Sequence, residues 1–165
     1  AEIRGIILGK MQISEGKNLC IISGESIAVE AAIMNGEGTV IAVEYNHKDR
    51  ATMEENVSQF GLNNVEIIDH VDDESIKNLP VPDVTMLVAS ASMEQEVECL
   101  LKRNPNMEFV VYTLDFQVAA GMKVFCEKMG IGDVDVIQVE VSRLNSKNGF
   151  ESQPAPWIIT GKAGE

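Results

Sequence analysis

Residues 18–44, NLCIISGESIAVEAAIMNGEGTVIAVE, constrain the fold more than any other stretch of the chain. Leu19, Cys20, Ile21 and Ile22 form an apolar run. The polar break Ser23-Gly24-Glu25-Ser26 follows, then a helix-like run over residues 27–34 and the turn Asn35-Gly36-Glu37-Gly38. A second apolar run over residues 39–43 ends in an acid, Glu44. A short apolar run bounded by turn residues suits a parallel strand buried on both faces. Two such strands in succession need a crossover, which at this length is a helix. The stretch therefore reads as one βαβ unit.

The chemistry of such a unit lies at its first turn and its last residue. The turn brings backbone N–H groups and a helix N-terminus toward a ligand. The acid after the second strand can accept hydrogen bonds from both hydroxyls of a ribose. Glu44 follows Gly24 by 20 positions, the separation expected between a nucleotide-binding turn and its ribose acid. The turn holds one glycine where a dinucleotide fingerprint needs three. Taken alone, the unit is equally a nucleoside site or an ordinary βαβ unit with a solvated acid.

The chain has 165 residues, enough for one domain with a single core. Its formal net charge of −13 disfavours nucleic acid, whose phosphates are met by Lys and Arg clusters. The same charge disfavours an anionic membrane surface. No run approaches the ~20 apolar residues of a membrane span, and no signal peptide is visible. Cys20, Cys99 and Cys126 match no zinc spacing and no disulfide framework. Buried, reduced thiols in a cytoplasmic protein are the expectation.

Before the βαβ unit, Ile3, Ile6, Ile7 and Met11 mark an amphipathic helix that covers the sheet or lines the ligand cleft. After it, Asn46 caps a helix through Phe60 that Gly61 ends. A third strand over 65–69 leads into the acidic loop His70-Val71-Asp72-Asp73-Glu74, where His70 reads as an exposed loop histidine. A fourth strand over 84–88 is followed by the small residues Ala89, Ser90, Ala91 and Ser92. Then come a helix over 93–103, a fifth strand over 108–114 and a helix over 116–129. Residues 134–143 alternate as a strand with one wetter face. Residues 145–149 form a polar turn, and 157–160 a last strand, giving an antiparallel pair at the end of a parallel sheet. With no repeat and no linker, one domain is expected.

Five βα units followed by a hairpin resemble the class I, S-adenosylmethionine-dependent methyltransferase fold. That fold is a Rossmann-like α/β three-layer sandwich whose seven-stranded, mostly parallel sheet has one antiparallel strand. Within it the chain is similar to the decarboxylating precorrin-6Y or cobalt-precorrin methyltransferases of cobalamin biosynthesis, which methylate a corrin precursor and remove an acetate carboxylate. The marks are the opening helix of Glu2-Ile3-Arg4 through Lys10-Met11, Ile27-Ala28-Val29-Glu30-Ala31-Ala32, Val40-Ile41-Ala42-Val43-Glu44, and Asn56 with Phe60-Gly61-Leu62-Asn63-Asn64. The endings Val139-Glu140-Val141-Ser142-Arg143 and Pro156-Trp157-Ile158-Ile159-Thr160-Gly161 complete them.

The resemblance implies S-adenosylmethionine as cofactor. It would be held by Ser23, Gly24 and Glu25 of the first turn, by Glu44 and Tyr45, and by Asp72 and Ala89. Ser90 and Ser92 would face the substrate, a tetrapyrrole corrin precursor. The resemblance also implies a homo-oligomer, typically a tetramer. No metal and no catalytic triad are expected, because an activated sulfonium needs positioning rather than a nucleophile.

The departures concentrate at the ligand. Relatives carry D-x-G-x-G-x-G in the first turn, whereas Cys20 stands at the acid's position, Ile22 at the first glycine's, and only Gly24 remains. The turn reads one residue short, so Ile22 is expected to crowd the methionine end. The family's Gly-Asp pair after the third strand becomes His70-Val71, and its glycine-rich stretch after the fourth becomes residues 89–93. A Thr-Lys segment before the first helix and an initial Met are missing. Together they point to a domain cut from a longer chain, with a second corrin methyltransferase, fused or separate, as its partner. Two functions stay open: an active methyltransferase, or a fold that has lost its cofactor and serves as an assembly or regulatory partner. An amino- or nucleic-acid-directed methyltransferase is a distant third, given the charge and the lack of an Asn/Asp-Pro-Pro-aromatic motif after Val88.

Overall fold

The computed structural model describes residues 1–164, except for the side chain of Glu25. In chain order the elements are α1 (Glu2–Met11), β1 (Leu19–Ile22), α2 (Glu25–Asn35), β2 (Val40–Val43), α3 (His47–Gln59) and β3 (Val65–Ile68). They continue with β4 (Val84–Val88), α4 (Met93–Arg103), β5 (Glu108–Thr113), α5 (Phe116–Met129) and β6 (Ile131–Gln138). The chain ends with β7 (Ser142–Leu144), β8 (Phe150–Ser152) and β9 (Trp157–Ala163).

Seven strands form one sheet in the order β3-β2-β1-β4-β5-β9-β6. β1 to β5 are mutually parallel, and β9 runs antiparallel between β5 and β6. β1 lies near the middle, with Cys20 opposite Ile41 on one side and Thr85 on the other. Its four residues are at most 1% exposed, as the apolar run requires of a strand covered on both faces.

Alternation along β1 divides the core in two. Leu19 and Ile21 pack with Ile7, Leu8 and Met11 of α1, with α2, and with Met53 of α3. Cys20 and Ile22 pack with α4, α5 and the Val71–Ile76 segment. The layers are thus α1–α3, the sheet, and α4–α5. Helix ends follow their cap residues: the Asn46 side chain accepts from Lys48 N and Asp49 N, and that of Asp115 from Gln117 N and Val118 N.

The C-terminal region differs from its sequence reading. Instead of one strand over 134–143, β6 starts at Ile131 and stops at Gln138. A register shift between Gly132 and Asp135, with Asp133 at φ 51°, resets the alternation. Val134 packs toward α5, whereas Ile137 and Val139 pack on the α1 side, so there is no single wetter face. The polar turn joins a separate two-stranded ribbon, β7–β8. Leu144 pairs with Phe150 on one face of that ribbon and Arg143 with Glu151 on the other.

Candidate functional site

Strand order reverses between β1 and β4, and α/β sheets bind ligands in the crevice at the carboxyl ends of the strands flanking such a point. Two residues, Ser23 and Gly24, connect β1 to α2. Ser23 N donates to Val43 O at 2.9 Å, extending the ladder past the strand ends. The tightness of the turn falls on Ser23, which takes φ 62°, in the left-handed region. For a residue with a Cβ this costs roughly 1–2 kcal/mol. Ser23→Gly is accordingly expected to raise stability by up to ~1 kcal/mol in urea denaturation.

Gly24 is required by close approach rather than by its φ. A Cβ there would lie 3.0 Å from Ile21 Cγ2 and 3.2 Å from Met86 Sδ. Gly24 is also the N-cap of α2 and provides no side-chain cap, so backbone N–H groups of the first helical turn remain for a ligand. A groove of 180 Å³ opens beside it, lined by Ile3, Arg4 and Ile7 of α1 with Ser26, Met86 and Tyr112 among others. The expectation that Ile22 crowds this end is not met. Ile22 is 1% exposed and points into the cluster on the α4–α5 side.

Glu44 closes β2 and is 5% exposed. It is not a solvated strand-end acid. Arg50 Nη1 donates to the Glu44 carbonyl at 3.1 Å, fixing the chain as it leaves the sheet. The next residue, Tyr45, donates its hydroxyl to Glu96 Oε2. Glu96 is fully buried on α4, and its Oε1 has no partner. Burial pushes the Glu96 carboxyl up, against the pull of the Tyr45 hydrogen bond. Burial and Glu96 together push the Tyr45 phenol up. Cys20 is pushed up to about 12 by burial and by the charge of Glu96. A buried acid thus stands near Cys20, supplied by α4.

After β3, Asp72 is committed to its own loop. Its Oδ1 accepts from Ser75 N at 2.7 Å, and its Oδ2 pairs with His70 Nε2 at 2.9 Å. The Ser75 N–H, more than His70, holds the Asp72 carboxyl below the usual range. His70 Nδ1 also meets Asp69 Oδ1 at 2.5 Å, and these two carboxylates raise the His70 pKa. After β4, Ala89 N donates to Tyr112 O at 2.9 Å. Ser90 is exposed and accepts from Ser92 N at 3.1 Å, while Ser92 is the N-cap of α4 without a side-chain cap bond. Neither serine lines the groove beside Gly24. The Glu25 side chain lies outside the described residues.

Ser23, Gly24, Glu44, Tyr45, Asp72, Ala89, Ser90 and Ser92 thus share one end of the sheet. Sequence reasoning missed Glu96 and Arg4, whereas Ile3 and Ile7 lie on the helix expected to cover the sheet or line the cleft and do wall the groove. Helical spacing held the first signal, because Met93, Glu96, Val97 and Leu100 fall on one stripe. A cavity of 680 Å³ lies at the opposite end, beside the starts of β4 and β5, away from these groups.

For S-adenosylmethionine, the residues fit in type and place. A Cβ at Gly24 would press on Ile21 and Met86, α2 has no side-chain cap, and an acid follows β2. The adjoining groove is below the ~300 Å³ of a ligand pocket, and Glu44 does not line it.

Comparison with solved structures agrees with this geometry. Precorrin-6Y C5,15-methyltransferase from Geobacter metallireducens GS-15 superposes with a TM-score of 0.88 at 23% identity, covering 99% of this chain and 88% of that one. The precorrin-8W decarboxylase of Methanobacterium thermoautotrophicum gives 0.81 at 16% identity, covering 99% and 90%. The C-terminal domain of precorrin-6Y C5,15-methyltransferase from Rhodobacter capsulatus gives 0.78 at 16%, covering 98% and 88%. Among curated proteins none matches the sequence. The fold is that of the class I methyltransferases. The family profile for the precorrin methyltransferase domain matches residues 1–157, and the chain belongs to that family.

Proposed function

We propose that this domain is an S-adenosylmethionine-dependent C-methyltransferase of cobalamin biosynthesis. Its substrate is a corrin precursor of the precorrin-6Y type, which it methylates with loss of an acetate carboxylate. The family match over residues 1–157 carries the reading. When bound, the cofactor supplies a methyl group already activated on a sulfonium. The chain's own residues bind, orient and exclude water. Glu44 accepts the ribose hydroxyls, Gly24 and the amino end of α2 receive the methionine end, and Tyr45 covers the adenine. No side chain need act as nucleophile.

Calorimetric titration with S-adenosylhomocysteine tests this directly, and saturable binding of one equivalent is expected. Failure to bind at millimolar concentration favours the second reading, a cofactor-deficient assembly partner. The observation on that side is the 5% exposure of Glu44.

We further propose a cytoplasmic homo-oligomer, a tetramer by family resemblance, in keeping with three buried free thiols. Among the described residues no helix is long and apolar enough to cross a membrane. Leu144 and Phe150 are 55% and 74% exposed on one ribbon face, an apolar pair suited to a second copy. Replacing both by Asp is expected to reduce the mass seen by light scattering to the 18.0 kDa monomer while S-adenosylhomocysteine binding persists. The Rhodobacter capsulatus relative is a C-terminal domain, which supports a second corrin methyltransferase, fused or separate, as partner.

A further inference from the structure

A 400 Å³ trough lies beyond the carboxyl end of β5, walled by Ile3, Tyr112, Leu114, Val141, Pro154 and Pro156. Its side-chain charges are Arg143 and Glu2. We infer that this trough seats a carboxylate-bearing arm of the tetrapyrrole, with Arg143 as anchor and Glu2 as the group that the arm displaces. The inference rests on the corrin reading above and names the part of the chain that recognises the substrate.

Three observations carry it. First, the trough shares Ile3 and Tyr112 with the groove beside Gly24, so it adjoins the expected methyl-donor end. Second, its largely apolar walls carry one guanidinium, beside the Glu2 carboxylate and the Gln153 amide, a combination that suits a macrocycle edge bearing acidic arms. A chain of net charge −13 repels a polyanion over most of its surface. A fixed cation in a cleft is therefore where such a ligand is held, and a guanidinium matches a carboxylate in a two-pronged fork.

Third, Arg143 already holds a carboxylate. Its Nη2 lies 2.6 Å from Glu2 Oε1, and the two side chains are 63% and 49% exposed. Arg143 keeps Glu2 ionised, lowering its pKa to about 2. A pair this exposed is weak and exchangeable, so a ligand carboxylate arriving between apolar walls can replace Glu2. The register places Arg143 on the ribbon face opposite to Leu144 and Phe150, so substrate and a second copy use different faces. The arm on Arg143 is not the one lost as CO2, because ion pairing stabilises a carboxylate against decarboxylation.

The alternative role for the pair is a staple joining α1 to the ribbon, and the two roles predict opposite signs. The test uses the full chain with uroporphyrin, an octacarboxylate tetrapyrrole, and its uncharged octamethyl ester, read by quenching of the single tryptophan, Trp157. The acid is expected to bind and the ester not. Arg143→Gln should weaken binding about 10- to 100-fold, with Arg143→Lys recovering only part of it. Glu2→Gln should tighten binding about two- to fivefold. S-adenosylhomocysteine affinity should stay unchanged in all three variants.

Weakening by both Glu2→Gln and Arg143→Gln, or no change in either, overturns the inference. Equal binding of ester and acid overturns it too. S-adenosylhomocysteine binding without Arg143 dependence of the porphyrin removes the trough and leaves the methyltransferase. Arg143-dependent porphyrin binding without S-adenosylhomocysteine binding removes the methyltransferase and leaves the trough.

Discussion

Ile22→Gly is expected to destabilise the protein by roughly 3–6 kcal/mol, measured by urea denaturation. Comparison of motifs alone argues the opposite, that glycine at this position restores a starved cofactor turn. The structure shows Ile22 as the last residue of β1, 1% exposed, registered with Val43 on one side and Leu87 on the other. Its removal opens a cavity in the α4–α5 side of the core and adds backbone entropy to a central strand. A loss of this size is a large share of the ~5–15 kcal/mol that holds a typical domain folded. The strained position is Ser23, one residue later. A melt of Ile22→Gly that matches wild type shows that the packing assigned to Ile22 is wrong.

Glu44→Ala is expected to weaken S-adenosylhomocysteine binding about ten- to a hundredfold by calorimetry. Each hydrogen bond from a ribose hydroxyl to a carboxylate contributes ~1.5–3 kcal/mol. Glu44→Gln should do less harm, since an amide oxygen still accepts one bond. Because Glu44 is 5% exposed, a thermal melt of each variant must accompany the titration to separate lost contacts from a loosened turn. Tight binding by wild type that Glu44→Ala leaves unchanged moves the ribose elsewhere and shifts the register of the site with it.

The central sheet was legible because burial on both faces leaves continuous apolar runs, and 19–22, 84–88 and the start of β5 are such runs. The caps at Asn46 and the chain reversal at Gly61 were legible because their chemistry is local. The antiparallel pair at the end of the sheet was legible too, but the bounds and facing of its first strand were not. A bulge at residues 132–135 changes which valines share a face, and only pairing with β9 reveals it. The first turn was half legible: Gly24 is where a Cβ cannot fit, but the left-handed residue is a serine, whose conformation is imposed by the sheet rather than by its own preference. Glu96 was hidden because an acid on a helix reads as solvent-facing until the sheet beneath that helix is known. The ends of the strands brought together Glu44, Tyr45 and the 70–75 loop as the βα order demands. The partners of Asp72 are side chains and amides of its own loop, which no spacing rule announces.

The position of β9 bears on how the chain reaches this structure. Residues 157–163 leave the ribosome after both β5 and β6, yet they form the rung between them. Until they arrive, β5 has one unpaired edge, and β6 has no neighbour in the sheet. Unpaired edges of this kind invite pairing with other chains. Closing them requires contacts distant in sequence, with the slow loop closure that this entails. The nascent protein therefore passes through a stage in which β1–β5 can assemble while the last two sheet strands wait. A single antiparallel insertion of β9 converts that open intermediate into the finished sheet.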